Sequence, residues 1–187
     1  KYKQIRALLT EQDNEDAIVD LLDNQATEQK LVDAANGKVT VKDGVVLFNG
    51  VPVHNAVSKR ILQSQIEGVP FDGLVHFLEK VEQNPSYTSR EELFDFLDNR
   101  DLPVTEDGDF LAYKAVTANW MDKYSGTIRN QIGDVVSMPR PNVDDNRARQ
   151  CSKGLHCGAM DYVTIYGGGD DRIVIVKVNP ADAVSVP

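Results

Sequence analysis

This sequence has little of what would assign it to a class at sight. Its 187 residues include two cysteines, Cys151 and Cys157, too few for a disulfide framework. No apolar run approaches the roughly 20 residues that a membrane span needs, and no signal-peptide pattern is present. Basic residues are scarce: 20 Lys and Arg stand against 29 Asp and Glu, a net charge of −9. Binding along a phosphate backbone needs clustered cations, so wholesale nucleic-acid binding is not expected. Residues 1–100 carry 11 basic and 17 acidic side chains, residues 101–187 carry 9 and 12, and neither half is basic. Arg140, Arg147, Arg149 and Lys153 form the one local basic patch, and Asp144 and Asp145 interrupt it. These shortages point to a cytoplasmic setting with a packed core. The chain opens on Lys1 and stops after Pro187, so a trimmed piece of a longer protein is expected.

What is present reads as an α+β protein in two parts. Ile5, Leu8 and Leu9, then Ala17, Ile18, Leu21 and Leu22, then Leu31 and Val32 behind Thr27, predict three short acidic helices before Gly37. A small β-meander follows at 38–53, because Asp43-Gly44 and Asn49-Gly50 are two-residue hairpin turns between β-rich runs. Asn55 starts a helix that Gly68 ends, Pro70 opens the next, and Ser89 with Glu92 reads as a capping box for a third. Composition changes near residue 100. The mostly helical part is therefore assigned to 1–100 and a mixed α/β domain with a mainly antiparallel sheet to 101–187.

In that second part, Asp107-Gly108 turns the chain into a strand with Phe110, Ala112, Lys114 and Val116 on one face and Leu111, Tyr113 and Ala115 on the other. A lysine alternating with core residues lays its stem on apolar surface and leads its ammonium toward water. Gly133–Met138 reads as a short strand and residues 139–149 as a polar loop. Residues 159–166 make about two helical turns, and Gly167–Gly169 break the chain before the apolar strand Ile173–Val178.

The stretch from Cys151 to Val178 concentrates two cysteines, His156, Lys153, Tyr162 and Tyr166. Zinc needs three or four converging ligands, and the adjacent pair His156 and Cys157 does not supply them. A thiol nucleophile needs a base in reach and a lowered pKa, which sequence neighbours on an extended segment do not provide. His54 and His76 stand apart from any Cys or carboxylate at ligand spacing. No metal, cofactor or catalytic residue is assigned. The candidate ligand-binding residues are Tyr113, Lys114, His156 and Tyr162.

The order of these parts, a strand with an aromatic and a polar residue, a Gly-Leu-His segment, a short helix with a tyrosine, then a glycine break and a strand, resembles the ADP-ribosyltransferase fold. The resemblance implies Lys114 in the first-strand position and His156 in the aromatic position, with an NAD-derived or cyclic nucleotide as ligand. It also implies a later glutamate to stabilise an oxocarbenium-like transition state. The last glutamate here is Glu106 and Asp182 is a poor substitute, so binding rather than transfer is expected.

A second likeness covers more of the chain. Phe71–Pro85, Glu92–Asn99, Leu102–Val116, Asp122–Gly126, Gly133–Arg140, Cys151–His156 and Val176–Pro187 occur in order within residues 39–187. Together they resemble the phage rIIB-like lysis-inhibition proteins. The resemblance implies a phage factor of the infected cell that delays lysis and counters host exclusion, without an established catalytic motif. It further implies an rIIA-like protein partner and peripheral membrane association through that partner. Members can carry an N-terminal helix-turn-helix, which residues 1–36 do not show clearly, so DNA binding is not carried over.

Overall fold

The computed structural model describes residues 37–42, 45–100, 102–149 and 152–186. The three acidic helices expected before Gly37, the Asp43-Gly44 turn and Cys151 lie outside the described residues. The chain divides into two compact units, residues 1–75 and 76–187. Composition alone draws that line near residue 100.

In the first unit β1 (Val39–Lys42), β2 (Val45–Phe48) and β3 (Val51–Pro52) form the expected antiparallel meander in the order β1-β2-β3. Val39 faces Phe48 and Val41 faces Val46 across the first pair, and Phe48 faces Val51 across the second. Asn49 and Gly50 both have positive φ, 50° and 81°, as the tightest hairpin turn demands. Helix α1 (Asn55–Glu67) is capped by His54, whose Nδ1 accepts the Ala56 N–H at 3.3 Å. It stops at Gly68 (φ 69°), where the Gly68 and Val69 N–H groups return to Gln65 and Ser64. Val39, Val46, Phe48, Ala56, Val57 and Ile61 are the buried apolar side chains of these elements.

Helix α2 (Asp72–Glu82) spans the division. Pro70 lies outside it, and the Phe71 carbonyl accepts its first bonds, from Leu74 and Val75. Helix α3 (Tyr87–Arg100) starts earlier than the Ser89/Glu92 pattern predicts. Its cap is Ser86, whose Oγ accepts the Ser89 N–H at 3.2 Å while its carbonyl accepts from Arg90. Ser89 is instead buried inside the first turn, and its hydroxyl donates to the Val184 carbonyl. Two Ser-containing starts fit the local pattern equally well, and the packing of the chain end selects between them. Phe77 and Phe94 meet edge to face at 6.1 Å.

Strands β4 (Phe110–Val116) and β5 (Arg172–Val178) pair antiparallel in a two-stranded sheet, from Phe110 opposite Val178 to Val116 opposite Arg172. Phe110, Ala112 and Val116 are buried. Helix α4 (Met160–Tyr166) precedes β5 and lies against β4. The class is therefore α+β with small antiparallel sheets. Residues 133–138 are not a strand: their exposure alternates, but nothing among the described residues pairs with them. A strand pattern is only half of a strand, since the ladder needs a neighbour.

Residues 76–100 bond extensively with the rest of the second unit. His76 Nδ1 lies 2.8 Å from the Glu106 carbonyl, Lys80 pairs with Asp109 at 2.6 Å, and Glu92 pairs with Arg147 at 2.5 Å. Gly108 (φ +83°) lets the turn before β4 sit directly on α2, because a Cβ there would lie 2.4 Å from the His76 carbonyl carbon and 2.5 Å from the Phe77 nitrogen. No helix among the described residues is long and apolar enough to cross a membrane.

Candidate functional site

Strand β4 sets the geometry. Its Leu111 and Tyr113 N–H groups point away from β5, to the carbonyls of Pro103 (2.9 Å) and Gly158 (2.8 Å). Gly158 returns its own N–H to the Tyr113 carbonyl at 2.8 Å, so the segment after His156 is stitched to the outer edge of β4. The Tyr162 ring covers Gly158, where an added Cβ would meet its Cδ1 at 2.8 Å. The His156 ring folds back on Gly154 in the same way, with Nε2 3.3 Å from the position of a Cβ.

Lys114 extends from the face of β4 that carries Phe110, Ala112 and Val116 and donates from Nζ to the His156 carbonyl at 2.9 Å. Burial lowers its pKa, and the nearby Cys157 and Asp122 oppose that shift. Burial also lowers the pKa of His156, and the Lys114 charge adds to the effect. The Cys157 thiol is pushed up to about 11 by burial, against the pull of Lys114. Asp122, itself buried, would be pushed up by desolvation, but N–H groups of Ser125, Ile128 and Thr127 and the Ser125 hydroxyl hold it at about 2. At neutral pH these groups are a protonated thiol, a neutral imidazole and a carboxylate whose two oxygens are both engaged. Such a set can hold a loop against a strand; the raised thiol pKa is the opposite of what activates a nucleophile, while the neutral imidazole keeps a ring lone pair.

The four candidate residues are thus distributed unequally. Lys114 and His156 meet, but through the backbone carbonyl of His156 rather than its imidazole. Tyr162 lies on Gly158 and pairs with Tyr166 at 4.8 Å between ring centroids, both rings partly exposed. Tyr113 shares the Gly158 stitch only through its backbone; alternation puts its side chain with Leu111 and Ala115 on the opposite face from Lys114. His54 and His76 are taken up by a helix cap and a carbonyl contact. Among the described residues no three His, Cys, Asp or Glu side chains gather as a metal site would require.

A second polar cluster left no mark in the sequence pattern. Asn84, 2% exposed, donates from Nδ2 to the carbonyls of Pro180 (2.9 Å) and Ala183 (2.7 Å). Its Oδ1 accepts from the Ser86 N–H (3.0 Å) and from Arg140 (3.1 Å). Arg140 also donates to the carbonyls of Ala181 and Ala183, and Glu92 accepts the Val186 N–H. Asn84, Ser89, Glu92 and Arg140 so fasten residues 180–186 through backbone groups alone. The partners lie 41 to 99 positions apart, beyond the reach of any local motif.

Compared with known proteins, the whole chain, residues 1–187, matches the family model described as bacteriophage T4 protein rIIB. Protein rIIB of Enterobacteria phage T4 is 36% identical over 186 residues, which cover 100% of this chain and 58% of that protein. The chain therefore spans less than two thirds of the length of the relative it matches. No solved structure matches it.

Proposed function

From the premise that this chain belongs to the phage T4 rIIB family, we propose that it acts in the infected bacterium by binding another protein, without chemistry of its own, in lysis inhibition and in countering host exclusion. The observation that carries this reading is the family match along the full chain. The partner is a second phage protein of the rIIA-like kind. The setting is the host cytoplasm, with attachment to the membrane through that partner. The engagement of Lys114 and Asp122 in holding loops, with the raised pKa of the Cys157 thiol, supports a binding role. Affinity capture of the tagged, full-length protein from infected cells tests it. Co-purification of a phage-encoded protein at near-equal amounts is expected. Recovery of the bait alone, with unaltered timing of lysis when the gene is deleted, would remove the proposal.

A second reading, a nucleotide-binding surface, is favoured by the partly exposed Tyr162–Tyr166 ring pair beside the segment that carries His156. It uses Lys114, His156 and Tyr162, leaves Tyr113 aside, and takes an NAD-derived or cyclic nucleotide by stacking. Calorimetry with NAD, ADP-ribose and cyclic nucleotides on wild type and His156→Ala decides it: heat that disappears in the variant sustains the reading, and flat traces end it.

A further inference from the structure

Two stretches of backbone in the second unit have no partners among the described residues. The first is the outer edge of β5. Because Leu111 and Tyr113 direct their N–H groups away from β5, the alternation of an antiparallel ladder makes Arg172, Val174, Val176 and Val178 the residues bonded to β4. The N–H and C=O groups of Ile173, Ile175 and Lys177 then point outward, and no strand among the described residues pairs with them. Ile173 is 43% and Ile175 66% exposed. Natural edges are blunted by charge, proline, bulges or a covering element. Here Lys177 supplies a charge at one end, turned toward Asp107 and Asp109, and nothing interrupts residues 173–176.

The second stretch is residues 134–138. Its last backbone bond on entry is Asp134 N–H to the Gln131 carbonyl, and the next is accepted by the Pro139 carbonyl from Asn142. Between them no backbone group is paired among the described residues, although exposure alternates as in a strand and Val135 is 97% exposed. Gly133 (φ 89°) and Pro139 mark its ends, and Ile132, 83% exposed, stands just before it. A segment of alternating exposure whose backbone has no ladder can supply a strand to a free sheet edge.

We propose that this protein forms a dimer by strand addition, residues 134–138 of one copy pairing along the outer edge of β5 in the second copy. A second copy is the occupant that fits, because one chain carries both halves of the match, a free edge and a free strand. Asp134 of the segment is already paired with Arg129, Lys177 of the edge with Asp107 and Asp109, and Arg172 with the Ala118 carbonyl and the Trp120 ring, so the match rests on backbone groups rather than on charge. Reciprocal exchange across a two-fold axis satisfies both edges and closes the assembly.

Sedimentation of the wild-type chain from about 1 to about 100 µM, with hydrogen exchange at both ends of that range, tests the proposal. A concentration-dependent dimer is expected, with exchange roughly tenfold slower at residues 135–138 and at 173, 175 and 177 in the dimer. Val136→Pro removes an N–H from the unpaired segment, so it should abolish the dimer while the melting temperature of the dilute, monomeric protein stays unchanged. A monomer throughout the range overturns the proposal. So does a dimer whose added protection is confined to 173–177, which would mean β5 pairing with itself. A folded Val136→Pro protein that still dimerises has the same consequence. Should that variant fold poorly, the wild-type exchange pattern decides alone.

Discussion

Replacing Asn84 with alanine should release the end of the chain from the helices. The side chain makes four hydrogen bonds in a buried position, two donated and two accepted. Their loss is unequal. The Ala183 carbonyl keeps Arg140 as a donor, and Arg140 keeps the carbonyls of Ala181 and Ala183. The Pro180 carbonyl keeps the Ala183 N–H at 3.3 Å, so the Ser86 N–H is the one group left without the partner it had. A neutral hydrogen bond is worth about 1 kcal/mol net, and a buried group stripped of its partner costs about 1–3 kcal/mol. One stripped group and the net loss of the other bonds place the loss at about 2–4 kcal/mol, a large share of the ~5–15 kcal/mol typical of a domain.

Urea unfolding of the wild-type and Asn84→Ala chains measures that loss, and hydrogen exchange localises it. Residues 180–186 should lose protection by more than any other segment, because all the contacts concerned are to their backbone or to the turn at Ser86. Arg140→Ala should act on the same residues, and the double variant should lose less than the sum of the two, since Asn84 and Arg140 bond each other. A loss below about 1 kcal/mol with unchanged exchange at 180–186 would refute the reasoning, as it would mean that water replaces the side chain at no cost.

Gly108→Ala adds left-handed strain at φ +83° to a collision with α2 backbone, so a loss of about 2–4 kcal/mol is expected by chemical denaturation; a loss under 1 kcal/mol would show that the turn simply shifts. Asp122, held at about 2 against an ordinary 3.8, contributes stability that is present above about pH 4 and lost as pH falls through about 2; Asp122→Asn should flatten that acid limb, and an unaltered limb would place its cause elsewhere. Cys157, half-buried and pushed up to about 11, should be alkylated more slowly at pH 7.5 in folded Cys151→Ser protein than in urea, whereas equal rates would contradict the raised pKa. Lys114→Met keeps the buried stem and removes the charge, so the His156 pKa, followed by NMR, should rise part of the way toward 6.5; a fall would reverse the assigned sign.

Where local chemistry decides the backbone, the fold was legible. Asn49-Gly50 specifies a tight hairpin, Gly68 a helix stop, and the alternation from Phe110 to Val116 a strand with one buried face, and each is found there. Where a distant element decides, sequence reading falls short. Ser86 rather than Ser89 caps α3 because Ser89 is drawn inward by the Val184 carbonyl, 95 residues away. Residues 133–138 have a strand's alternation without a neighbouring strand. The helical residues 76–100 read as part of an N-terminal helical region, yet His76, Lys80, Asn84, Ser89 and Glu92 all bond to residues beyond 100. Of the candidate site, Lys114 and His156 were singled out together, and the one bond between them is from the Lys114 ammonium to the His156 backbone carbonyl. That it runs through a carbonyl was not legible, since nothing in a sequence tells which atom a lysine will meet.

The same contrast explains why residues 151–178 look like a reactive centre. A two-stranded sheet joined by long loops leaves many backbone polar groups without a ladder partner, and each must find one or stay in water. Long charged side chains do that work in this unit. Lys114 holds the His156 carbonyl, Lys123 holds Tyr166 at 2.5 Å and also pairs with Asp171, and Arg172 holds Ala118 at 3.1 Å while stacking on Trp120. Asp122 gathers the N–H groups of its own turn. Dense polar chemistry is thus what closure of such loops requires, with no substrate needed to account for it. By that logic the informative places are those where closure stops: the outward groups of Ile173, Ile175 and Lys177 and the bare backbone of 135–138, which nothing among the described residues satisfies.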